Sequence, residues 1–152
     1  MNSNKAWAVW EDDVAERLGA SKVRLSGRLQ QFKGDVKSTD YLIDCKYTEH
    51  DGYAFTLSLW DKLSDWARNE SRVPLAAIRT GDGHEFVILP MQEAYSAVGI
   101  DPPTQFPLHI KKSKYMKGIK FDVPNPIAFT IGGTYYLAAM SFDEFAKRVV
   151  GE

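Results

Sequence analysis

Residues 34–46 read GDVKSTDYLIDCK. In an extended strand, side chains alternate between faces, so residues two apart point the same way. Asp44 and Lys46 therefore share one face, and Tyr41, Ile43 and Cys45 share the other. Leu42 falls on the charged face and interrupts the alternation. The "STD" triplet carries turn residues. It makes Asp35–Lys37 and Tyr41–Tyr47 the arms of a hairpin, with Asp35 opening one arm and Asp44 near the end of the other. The two carboxylates can then approach across the ladder. A solvated strand face has the same look when such a tripeptide stands alone, so the flanking chain decides the reading.

Upstream, "NKAWAVWEDDVAERLG" reads as a helix, because Trp10, Val14 and Leu18 recur at helical spacing and Gly19 is a natural stop. "KVRLSG" reads as a short strand, and "GRLQQFKG" as a polar loop leading into the hairpin. Downstream, "SLWDKLSDWARN" is an amphipathic helix with Leu59, Trp60, Leu63, Trp66 and Ala67 in one stripe. "VPLAAIRT" and "EFVILP" flank a "GDGH" turn, and their apolar character suits central strands buried on both faces. "MQEAYSAVG" reads as a short helix, "LHIKKSKYMKGIKFDVP" as basic and partly extended. "IAFTIGGTYYLAAM" is a hairpin about Gly132–Gly133. "SFDEFAKRVVG" closes as a helix, with Ser141 and Glu144 at capping-box spacing. The order predicts an α/β protein with a central mixed β-sheet flanked by helices, and an extra C-terminal β-hairpin and helix.

The chain has 152 residues, 44% hydrophobic, with a net charge of −1. That suits one domain spanning 1–152 with a substantial core. A polycation is excluded, so nucleic-acid binding has to come from local clusters of charge. The single cysteine, Cys45, forbids an internal disulfide. With no signal-like start and no apolar run of about 18 residues, a cytoplasmic protein outside the membrane is expected.

Two carboxylates held close repel each other unless a cation lies between them. Mg²⁺ suits such a pair, because it takes hard oxygen ligands and few protein carboxylates, filling the rest with water or phosphate oxygens. Lys46 on the same face stands where it can hold an attacking water or offset phosphate charge. These are the parts of metal-assisted phosphodiester hydrolysis.

The "GD…DCK" pattern, with the helix and "KVRLSGR" before it, resembles the PD-(D/E)xK nuclease superfamily. Its branch of archaeal-type Holliday junction resolvases and related phage endonucleases is the most similar in layout. The resemblance covers about Trp7 to Leu89, a core of roughly residues 5–90; residues 91–152 carry no family pattern and read as a C-terminal elaboration. It implies a restriction-endonuclease-like core and Mg²⁺, with Mn²⁺ able to substitute. Asp35 and Asp44 are the implied metal ligands, with the Cys45 backbone carbonyl completing the site and Lys46 as the signature lysine. A first-helix glutamate is also implied: Glu11, or its competitor Glu16, about 140° around the helix. Ser26, counted with the catalytic set, and Arg28 fall on the implied phosphate-facing loop. Gly34 stands in place of the name-giving proline, and Asp44 in place of the commoner glutamate.

Basic residues form two runs. Lys22, Arg24, Arg28, Lys33 and Lys37 surround the hairpin, and Lys111, Lys112, Lys114, Lys117 and Lys120 follow His109. Both suit DNA phosphates; the second equally suits a solvated loop. No base-reading motif is present, so contacts to the DNA backbone are expected. His50 and His84 read as surface residues, and Cys45 as an inward, non-nucleophilic side chain. The expected activity is Mg²⁺-dependent cutting of branched DNA in recombination, as a junction resolvase does. Two symmetric cuts call for a homodimer, and the 127–140 hairpin is either its surface or core. No organic cofactor and no membrane partner are expected. A restriction-like, nicking or repair nuclease, or a DNA-binding module without catalysis, are the competing readings. A phage or mobile-element source is a family-level implication only.

Overall fold

The computed structural model describes residues 3–22 and 36–150. Helix α1 (Ser3–Arg17) leads through β1 (Ser21–Lys22) and β2 (Val36–Lys37) into β3 (Tyr41–Tyr47). Then come β4 (Gly52–Thr56), helix α2 (Leu57–Asn69), β5 (Val73–Arg79) and β6 (Glu85–Pro90). Helix α3 (Met91–Val98), β7 (His109–Ile110) and β8 (Ser113–Lys117) follow, and β9 (Ile127–Ile131), β10 (Tyr135–Ser141) and helix α4 (Phe142–Val150) complete the chain.

Eight strands form one mixed sheet in the order β1-β2-β3-β5-β6-β10-β9-β7, while β4 and β8 pair separately. The predicted hairpin is present: Val36 lies opposite Ile43 and Lys37 opposite Leu42, antiparallel. β3 runs parallel to β5, with Asp44 beside Ala76 and Lys46 beside Ile78. A parallel pair needs a crossover, and β4 with α2 supplies it. The architecture is α/β with a mixed central sheet flanked by helices, as the order of elements predicts.

The sheet separates two cores. Ile43, Cys45, Leu75 and Ala77 face α1, α3 and α4 through Trp10, Val14, Tyr95, Phe142 and Phe145. Leu42, Ala76, Ile78 and Ile88 face α2 and the β4–β8 ribbon through Phe55, Trp60, Leu63 and Met116. Each of β5 and β6 thus feeds both cores, which is why they read as continuous apolar runs. The C-terminal hairpin is core: β10 lies between β6 and β9, and Phe129, Ile131, Leu137 and Ala138 are buried. Of that stretch only Tyr136 is a large exposed hydrophobic, so the core alternative is the one the fold takes up. Within residues 91–150, β7, β9 and β10 belong to the central sheet, and the Trp10–Phe142 and Tyr41–Phe145 ring contacts tie the last helix to the first half of the chain.

Caps fix the helices that matter most. Gly19 takes the left-handed conformation, at φ 61°, that ends α1. Thr56 caps α2, its Oγ1 accepting the Leu59 N–H at 3.0 Å. Thr56→Ala is expected to cost about 1 kcal/mol, read as a lower midpoint in urea denaturation with an unchanged slope. The Ser141 hydroxyl accepts the Glu144 N–H at 3.4 Å, while the Glu144 carboxylate turns to Arg148 at 2.8 Å. One half of the expected capping box is thereby made.

Candidate active site

Asp44 and Lys46 do share a face of β3, but at Asp44 that face is not solvated. Asp44 is only 3% exposed. Leu42, beside it, is fully buried under Trp60 and Leu63 of α2. The broken alternation of the sequence is thus the mark of a strand covered on both sides. The reading as a solvated strand face fails for Asp44, which is buried beside α2.

A buried carboxylate needs compensation. The Lys46 ammonium supplies part of it, 3.5 Å from an Asp44 oxygen. Lys46 also lies over the Trp7 ring, 5.4 Å from its centroid, within cation–π range. Strand and first helix together hold the ammonium beside the carboxylate. Cys45 points the other way into the core, as expected, and is buried.

A cavity of about 360 Å³ opens between β3 and α2 at this pair. Asp44 and Lys46 form its strand wall, and Ser58, Leu59, Lys62, Leu63 and Trp66 its helix wall. Ser58, Lys62 and Trp66 recur every four residues, so one helical face presents a hydroxyl, an ammonium and an indole to the cavity. Tyr53 of β4 also feels this site: burial, with the Asp44 charge adding, pushes its hydroxyl up to about 12. It stays a neutral hydrogen-bonding group at physiological pH and not a base. Sequence periodicity alone missed Tyr53 and Lys62. Lys62 sits at the edge of the apolar stripe of α2, and its i, i+4 relation to Ser58 was the available signal.

Glu11 is a partly exposed helix residue at 3.7 Å from Lys22. It lies one turn beyond Trp7, on the side of α1 that carries the ring beneath Lys46. Glu16 is exposed, and its helix is anchored from other positions, by Asp13 to Arg79 and by Arg17 to Glu85. Between the two glutamates, Glu11 is the one nearer the Trp7–Lys46 contact. Asp35, Ser26, Arg24, Arg28 and Lys33 lie outside the described residues. Among the described residues, no three His, Cys, Asp or Glu side chains gather as a metal site.

The predicted cations divide sharply. Lys22 pairs with Asp12 at 3.0 Å as well as with Glu11, and the Asp12 hydrogen bond outweighs burial and raises its pKa. Lys37 pairs with Glu70 at 2.7 Å. Both are compensated by acids distant in sequence, which a count along the chain cannot register. Lys111, Lys112 and Lys114 are exposed and, among the described residues, form no ion pair. Lys117 pairs with Asp51 at 3.3 Å.

A second polar cavity, about 320 Å³, lies at the turn between β5 and β6 and includes Asp51, His84, Glu85 and Asp143. Its charges are already engaged. His84 pairs with Asp82 at 3.0 Å, Glu85 with Arg17 and Arg79, and Asp143 with Arg17. Thr80 and His84 hold the Asp82 carboxyl down at about 2. Arg17 thus joins this turn to α1 and α4 through ion pairs.

No protein-family model, no curated protein and no solved structure matches the chain. Its chemistry is therefore read from the site. A buried carboxylate beside an ammonium, opening on a cavity with a second lysine on its wall, can oppose negative charge on a ligand.

Proposed function

We propose that the chain is a metal-dependent endonuclease that hydrolyses phosphodiester bonds in DNA at the Asp44–Lys46 face of β3. The observation that carries the reading is the buried Asp44 held 3.5 Å from Lys46 at the wall of a cavity. An acid merely decorating a strand edge would be solvated; Asp44 is buried beside α2, with Lys46 only partly exposed next to it.

The donors suit Mg²⁺ in kind, since carboxylate and carbonyl oxygens are the hard ligands it takes. Asp44, Asp35 and the Cys45 carbonyl would hold the ion, with Glu11 as a further carboxylate. When bound, it supplies Lewis acidity and an acidified water. The residues of the chain do the rest. Asp44 fixes the position of the ammonium on one side, and the Trp7 ring limits it on the other. Lys46 then stands ready to orient a water or to balance charge gathering on a phosphoryl oxygen. Leu59, Leu63 and Trp66 line the same cavity with apolar surface, which lowers the local dielectric and strengthens such contacts.

Lys46→Ala is expected to lower the cleavage rate by about 10²-fold or more while DNA affinity stays within a few-fold. A variant with parental rates would remove Lys46 from the chemistry. The substrate proposed is branched DNA, cut by a homodimer with one site per protomer. A panel of linear, nicked, flapped and four-way DNAs with Mg²⁺ tests it: preferential cutting of the four-way form is expected. Equal cutting of linear duplex would leave a nuclease of the restriction or repair kind.

A further inference from the structure

We infer that Lys62 and Lys112 form a phosphate-binding subsite that leads the DNA strand across the N-terminal half of α2 to Asp44 and Lys46. This rests on the phosphodiester reading above and adds to it a role for the C-terminal half of the chain.

The fold brings the second basic run to the helix. The Leu57 N–H donates to the Lys112 carbonyl at 2.7 Å. The β4–β8 pairing fastens the same corner, with Thr56 opposite Ser113. A cavity of about 540 Å³ lies there, with Lys62 and Lys112 on its walls. It shares Thr56, Ser58 and Lys62 with the cavity that holds Asp44 and Lys46. The two openings therefore make one groove, and Lys62 stands at their junction.

Charge compensation decides which cations can serve a polyanion. Asp61 and Asp65 also border the groove, where Asp61 keeps its charge and Asp65 shares its own with Arg68. Asp61 accepts the Tyr135 hydroxyl at 2.6 Å, and Asp65 pairs with Arg68 at 3.1 Å. Lys62 and Lys112 are exposed and make no ion pair among the described residues. A lysine already neutralised by a carboxylate, such as Lys37, gains little from a phosphate. One whose charge is met only by solvent and salt takes the phosphate and frees the counterions around the DNA.

The test is the salt dependence of binding of a fluorescein-labelled four-way DNA junction, in EDTA, by fluorescence anisotropy. For the parent chain, log K should fall linearly with log salt concentration. In the Lys62→Gln/Lys112→Gln double variant, the slope is expected to flatten by about 1.8, one phosphate being lost per lysine. Lys62→Arg/Lys112→Arg should retain the parental slope. Lys147→Gln should leave it unchanged, because Lys147 lies on α4, on the opposite side of the sheet. A parental slope in the Gln double variant overturns this subsite while leaving the nuclease reading intact. If the parent chain binds no junction even at low salt, the DNA reading falls and the subsite with it. Both lysines are exposed, so the variants should fold, and an unchanged circular dichroism melt checks that they do.

Discussion

Asp44→Asn is expected to lower DNA cleavage by about 10³-fold or more, some 4 kcal/mol in the barrier, while leaving the chain folded. Asparagine keeps the size and shape of the side chain, so packing against Leu42 and α2 is preserved. It removes the charge that holds Lys46 at 3.5 Å and the anionic oxygen a divalent ion needs. The fold tolerates this because Lys46 is about one-quarter exposed, at 24%, and its ammonium can turn to water. Removing the lysine and keeping the buried acid is the less benign change, since it leaves the carboxylate with fewer compensating contacts. Rate and melting temperature therefore separate in this variant. Thermal melts with millimolar Mg²⁺ provide a second readout: the parent should gain stability as the ion binds, and Asp44→Asn should gain less. An equal gain in both would place the ion elsewhere.

Trp10→Ala should give the largest loss of stability in the molecule, about 5 kcal/mol, from a cavity of indole size and a lost hydrogen bond. Trp10 is fully buried, donates its indole N–H to the Ala77 carbonyl at 3.0 Å, and meets Phe142 edge-on at 5.2 Å. The Arg79 guanidinium covers its other side at 4.5 Å. One side chain thus joins α1, β5 and α4. A loss of this size approaches the whole stability of many domains. Urea denaturation should show an early, shallow transition or none. Trp10→Phe keeps most of the volume and loses only the donor, so about 1–2 kcal/mol is expected. A loss below that for the alanine variant would mean that α1 is not docked on the sheet as described. The Trp7–Lys46 contact on the same helix would then fall too.

How far these features could be read from the sequence depends on how local their causes are. The Asp44–Lys46 face and the inward Cys45 follow from the two-residue period of a strand, and the turn at residues 38–40 follows from its own chemistry. The apolar runs of β5 and β6 announce their place at the centre of the sheet. Leu42 was the visible sign that the charged face is covered, but what covers it is α2, and that is a tertiary fact. β4 was missed because five residues after a turn carry little periodicity; its partner is β8, with Gly52 opposite Lys117. The same long-range pairing brings the second basic run to the groove. Lys22 and Lys37 looked available because their acids, Asp12 and Glu70, are remote in the local charge pattern. The hairpin at 127–140 could be read as interface or as core from its many aromatics, and the pairing of β10 with β6 makes it core.

The most direct test of the central claim is strand scission of an end-labelled four-way DNA junction by the parent chain with Mg²⁺, beside the same chain in EDTA and the Asp44→Asn variant with Mg²⁺. The expected result is cutting by the parent with metal and none detectable in the other two. Intact DNA in all three lanes, with Mn²⁺ giving the same, or equal cutting by parent and Asp44→Asn, would contradict it.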